Sequence, residues 1–169
     1  MAKIDDIYEG VDDFGLITSS EAAKLGMLVQ QAKAGKLVRV ARGVYRMPVW
    51  PSQPQAPFAI AVKAAGVGAF LYGESVVALL QLAPTDPSKM WVATPNRVRR
   101  DLGKGVRIVR SDAEPTWIDG VPCQPLAAAI ACAAQTMGAD RALEAASEAL
   151  RMGYLNAGEK KEIEEKIER

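Results

Sequence analysis

No histidine occurs anywhere in the 169 residues, which removes the commonest general base and the commonest metal ligand together. The chain has only two cysteines, Cys123 and Cys132, in an Ala/Pro-rich apolar stretch. Without histidine they cannot complete a four-ligand zinc site, so no metal is expected; two reduced thiols are favoured over a disulfide or redox pair. Long apolar runs are missing too. Those at 59–71 and 125–134 are interrupted by Lys63 or too short to cross a bilayer. The opening M-A-K-I-D-D lacks the basic-then-apolar pattern of a signal peptide, and a cytoplasmic protein without membrane contact is expected. The net charge is only +1. Any case for a polyanionic partner must therefore rest on how charge is distributed.

That distribution is uneven. Residues 4–14 place Ile4, Ile7, Tyr8, Val11 and Phe14 at helical spacing among five acidic residues, which predicts an amphipathic first helix ended by Gly15. From Lys24 to Arg46 every charged residue is basic. Thr18-Ser19-Ser20-Glu21 is a capping-box pattern, with Thr18 as N-cap and a second helix starting at Ser19. Gly26 supplies a tight turn, a third helix follows over 27–34, and Gly35 caps it. Leu37–Val40 and Val44–Arg46 alternate as strands around an Ala41-Arg42-Gly43 turn. Helix, turn, helix and basic ribbon in this order predict a winged helix-turn-helix over residues 1–47.

Four prolines near residues 48–57 predict an extended linker, with Trp50 packed on a neighbouring domain rather than used for base stacking. Residues 58–169 read as a mixed α/β domain ending in helices. Its expected helices are 58–65, 74–82, 126–136, 141–152 and 157–168. Expected strands cover 90–94, 106–110 and 116–119, with a short one near 69–72. The whole is α+β.

The basic hairpin carries the functional argument. Arg39, Arg42 and Arg46 on a ribbon suit phosphate, and the helix N-terminus at Ser19 and Ser20 can donate amides to one. Gln30, Gln31 and Lys33 are the candidate base readers, since glutamine pairs with adenine and lysine donates to guanine. Four neutralised phosphates would lower affinity roughly a hundredfold between 50 and 200 mM salt. Arg97, Arg99, Arg100 and Lys104 form a candidate second basic patch, suited to DNA or to an acidic partner. No catalytic residue emerges. Glu74, Asp86, Asp112 and Glu114 are isolated acids, Ser75 has no activating base, and Gly66-Val67-Gly68 lacks the rest of a dinucleotide loop. No cofactor is expected.

Two stretches, G-L-I-T-S-S-E-A-A-K-L-G and A-G-K-L-V-R-V-A-R-G-V-Y-R-M-P, resemble the winged-helix domain of AbiE-type antitoxins of type IV toxin–antitoxin systems. Leu37–Arg46 is the most specific part. The resemblance extends more loosely through Leu71–Leu82, Trp91–Arg97, Ile118–Ile130 and Ala142–Leu155. It implies an autorepressor that binds inverted repeats in its own promoter, with Lys33, Lys36, Arg39, Arg42 and Arg46 contacting the double-stranded DNA. It also implies a C-terminal domain opposing a nucleotidyltransferase-like toxin, functionally and without a required stable complex. Met27-Leu28-Val29 departs from relatives that carry Ser/Arg there. Two readings compete: a stand-alone winged-helix regulator with a ligand-binding or dimerisation domain, and a toxin-modifying enzyme using Glu74 or Asp86.

Overall fold

The structure, a computed structural model, describes residues 11–24 and 37–169, with backbone alone at 22–24. The expected first helix before residue 11, the Gly26 turn, helix 27–34 and the Gly35 cap lie outside the described residues. Among the described residues the chain is α+β, with six helices and two sheets.

Val11–Gly15 is a turn, not the end of a helix. Asp12 closes it: its Oδ1 accepts from the amides of Phe14 and Leu16 at 2.9 and 3.0 Å. A short aspartate side chain satisfying amides two and four residues ahead competes with helix, so residues 11–15 form a turn where helix was expected. Gly15, at φ +71°, reverses the chain into a strand that the sequence reading missed, β1 (Leu16–Thr18).

Helix α1 (Ser19–Lys24) begins where the capping box predicts. The Glu21 amide donates to Thr18 Oγ1 at 3.2 Å, and Glu21 Oε1 accepts from the Thr18 hydroxyl and amide at 2.9 and 3.4 Å. Strands β2 (Val38–Ala41) and β3 (Val44–Arg46) follow as an antiparallel hairpin, with Gly43 at φ +74° in the turn. The sheet order is β1-β3-β2, so the hairpin's second strand is the central one.

Helix α2 (Ala56–Ala65) has Pro57 in its first turn, where a missing amide costs nothing. Its sequence A-P-F-A-I-A-V-K-A-A is apolar on nearly every side, the mark of a helix covered from two directions. One cover is the small sheet. The other is a mixed five-stranded sheet of order β6-β5-β4-β8-β7. Its strands are β4 (Phe70–Leu71), β5 (Met90–Thr94), β6 (Val106–Arg110), β7 (Thr116–Ile118) and β8 (Val121–Cys123). A single buried cluster joins Phe14, Leu16 and Val44 to Ala59 and Val62 of α2 and on to Leu71, Val92 and Cys123. Strand β8 was not expected; the Asp119-Gly120 turn was, and both residues have positive φ.

Helices α3 (Glu74–Leu79), α4 (Leu126–Met137), α5 (Ala139–Arg151) and α6 (Ala157–Glu168) form a second cluster. On α5, Ala142, Ala145, Ala146 and Ala149 recur at i, i+3, i+4, i+7 and are wholly buried. Small side chains on one stripe let neighbouring helices approach closely. Asn156 and Glu159 cap α6 reciprocally, at 2.8 and 3.1 Å. No described helix is long and apolar enough to cross a membrane.

Candidate nucleic-acid interface

Strand register sorts the hairpin's cations. Val38 and Leu16 flank Arg46, whereas Tyr45 has Arg39 and Ile17 as its neighbours. Successive residues of a strand point to opposite faces, so Arg39 and Arg46 leave the sheet on opposite sides. Arg46 shares its face with Leu16 and Val44, which belong to the core around α2, and its Nε is buried with no partner among the described residues. Arg39 is exposed, as is Arg42 in the turn. The ribbon therefore offers two outward cations, with Arg46 half-buried behind them.

The helix N-terminus offers less than its sequence suggests. Ser19 and Ser20 are exposed, but the Ser19 amide donates to the Gly43 carbonyl at 2.9 Å and the Glu21 amide is taken by Thr18. The Ser19–Gly43 bond has a different use: it ties the start of α1 to the hairpin turn and so fixes where Arg42 sits.

Beyond α2 the second basic group comes back to that turn. Arg42, Ala65, Asn96, Arg97, Val98, Arg99 and Arg100 line one open groove of about 410 Å³. No acid occurs among its described lining residues. The loop after β5 is positioned by Asn96, whose amide donates to Thr94 Oγ1 at 3.2 Å while its Nδ2 donates to the Val67 carbonyl at 3.3 Å. Arg100 is spent on structure: its Nε and Nη2 donate to the Ala64 carbonyl at 3.1 and 2.5 Å. That places a guanidinium at the C-terminus of α2, where both the unpaired carbonyl and the helix dipole favour it. Arg42, Arg97 and Arg99 make no ion pair or hydrogen bond with described residues. Lys104 stands apart from the groove; its carbonyl accepts from Arg107 at 2.6 Å. Gln30, Gln31, Lys33 and Lys36 lie outside the described residues.

One contact holds this assembly in register. Lys63 of α2 reaches Asp12 at 3.4 Å and Glu21 at 3.3 Å, so a single ammonium links the Asp12 turn and the capping box of α1 to α2. Nothing in the spacing of residues 12, 21 and 63 along the sequence announces this contact.

Of the acids weighed for catalysis, Glu74 and Asp86 hold the chain in place. Glu74 is buried and its Oε1 accepts from the Asp86 amide at 3.0 Å. Ser75 Oγ accepts from the Trp91 amide at 2.7 Å. Asp86 accepts from the Ser88 hydroxyl and amide at 2.6 and 3.0 Å, and those bonds hold its carboxyl below the usual carboxylate range. Gly66 and Gly68, both at positive φ, turn the chain from α2 into β4. Cys123 and Cys132 are free thiols. Among the described residues no group of three or more metal-ligating side chains comes together.

No family model and no curated protein matches the chain.

Proposed function

We propose that this protein is an AbiE-type antitoxin that represses its own promoter, with Arg39, Arg42, Arg97 and Arg99 gripping DNA phosphates. The observation that carries the reading is the groove itself. Two basic segments more than fifty residues apart in sequence meet at the hairpin turn with no acid among the described lining residues. Cations crowded together without carboxylate partners repel one another, and a phosphate backbone relieves that repulsion. A three-stranded sheet whose last two strands form the basic ribbon, preceded by a capped short helix, supports a winged-helix reading of the first 47 residues. Sequence discrimination falls to Gln30, Gln31 and Lys33, and Lys36 adds a further phosphate contact.

The helical end of the chain is then the part that opposes a nucleotidyltransferase-like toxin. This partnership rests on the resemblance at Leu71–Leu82 and Ala142–Leu155. The test is a mobility-shift titration on DNA from upstream of the coding frame, together with rescue of cells expressing the protein encoded next to it. Specific retardation with rescue supports the reading. Equal affinity for unrelated duplex, or a neighbouring frame whose product is harmless, defeats it.

A further inference from the structure

On the side of α2 that carries Lys63 lies a cleft of about 490 Å³, walled by Phe14, Ala59, Val62 and Ala69 and closed by Pro115 and Trp117 of the β7–β8 region. This volume suits a small organic molecule, and the walls are apolar. Trp117 stands at its rim with 72% of its surface exposed, an unusual position for the largest apolar side chain.

The charges at the mouth select among ligands. Asp12, Asp13 and Lys63 all line the cleft. The Lys63 ammonium is already neutralised by Asp12 and Glu21, and Asp12 is held further by the Phe14 and Leu16 amides. Asp13 is exposed, and its carboxylate has no partner among the described residues; only its carbonyl is used, accepting from Trp50 Nε1 at 3.1 Å and Gln53 Nε2 at 2.9 Å. Three carboxylates thus stand around one ammonium, so the mouth of the apolar cleft is net negative, and Asp13 is the carboxylate left without a cationic partner among the described residues. An ammonium gains by ion pairing with the Asp13 carboxylate, and an apolar body gains by covering Trp117.

We infer that this cleft binds a small amphiphile with an apolar body and a cationic amine, the amine at Asp13 and the body between Phe14, Val62 and Trp117. The site is separate from the arginine groove and stands whether or not the protein binds DNA.

The test uses the full chain titrated with 3-phenylpropylamine, 3-phenylpropan-1-ol and 3-phenylpropionate, followed by the tryptophan indole N–H resonances. The expected order of affinity is amine, alcohol, carboxylate, with the amine ahead of the alcohol by about fivefold, the worth of one half-exposed ion pair. Asp13→Asn should erase that preference and leave alcohol binding unchanged. Trp117→Ala should weaken all three. Both side chains are exposed, so circular dichroism should report an unaltered fold. The inference is overturned by no saturable binding up to 10 mM, by a carboxylate that binds as well as the amine, by an amine preference that survives Asp13→Asn, or by affinities indifferent to Trp117→Ala.

Discussion

Replacing Gly15 by alanine tests how the N-terminal sheet is locked to the segment that follows it. Gly15 sits at φ +71°, and a Cβ there would lie 2.4, 2.6 and 2.9 Å from three carbons of the Trp50 indole. The backbone conformation alone costs an L-residue about 1–2 kcal/mol. The overlap cannot be absorbed by a flexible tip, because the contacted atoms are the rigid ring, so the indole must move. Moving it weakens the 3.1 Å bond from Trp50 Nε1 to the Asp13 carbonyl, worth about 1 kcal/mol. It also disturbs the small cluster of Ile17, Leu37 and Met47 against which Trp50 packs. The sum is about 3 kcal/mol, read as a shift of the urea midpoint at unchanged slope. In a Trp50→Ala background the same substitution should cost only the backbone part. The expected coupling is therefore at least about 1 kcal/mol. A Gly15→Ala protein within about 0.5 kcal/mol of wild type, or one whose cost is the same in both backgrounds, would refute the reasoning.

Three further outcomes follow from the same structure. Thr18→Ala removes the N-cap of α1 and should lower stability by about 1 kcal/mol in chemical denaturation, whereas Thr18→Ser should be nearly neutral. Arg100→Ala should destabilise the protein by about 1 kcal/mol by uncapping α2, while Arg97→Ala, at an exposed side chain with no hydrogen bond or ion pair to described residues, should leave the midpoint unmoved. Burial, then the nearby Asp119 charge, pushes the Cys123 thiol from 9.0 up to about 12. A raised folded value means that the protonated thiol stabilises the native state fully below pH 9 and that this contribution fades as pH rises toward 12. Cys123 should accordingly resist a thiol-reactive reagent at pH 8 in the native protein and react on unfolding in guanidinium; rapid native labelling at that position, mapped by mass spectrometry, would contradict its burial.

Much of the second half of the chain was legible because its signals are long or locally complete. The helices at 126, 139 and 157 carry full amphipathic or capping patterns, and Met90–Thr94 and Val106–Arg110 are strands of five residues each. Strand β1 escaped because it is wedged between Gly15 and the capping box, and β8 because its middle residue is Pro122, which counts against a strand; each is a strand by virtue of its neighbours in the sheet. The Asp12 turn was hidden for a related reason. Ile4, Ile7 and Val11 keep helical spacing, but the Asp12 side chain captures the amides that the helix would need. The site shows the same limit on a larger scale. Both basic groups could be read from the sequence. That Arg42 meets Arg97 and Arg99 in one groove, that Arg100 leaves it to cap α2, and that Arg46 turns inward are consequences of tertiary packing and register, which spacing along the chain does not encode.

The central claim is that the groove between the hairpin turn and the loop after β5 takes a phosphate backbone. Its most direct test is the salt dependence of duplex binding, measured by fluorescence anisotropy from 50 to 200 mM salt, for wild type and for Arg42→Ala/Arg97→Ala/Arg99→Ala. Each phosphate contact contributes about −0.9 to the slope of log K against log salt. The triple variant should bind more weakly on every sequence, with a slope shallower by about 2.7 and an unchanged unfolding midpoint. A triple variant with wild-type affinity and wild-type slope would contradict it.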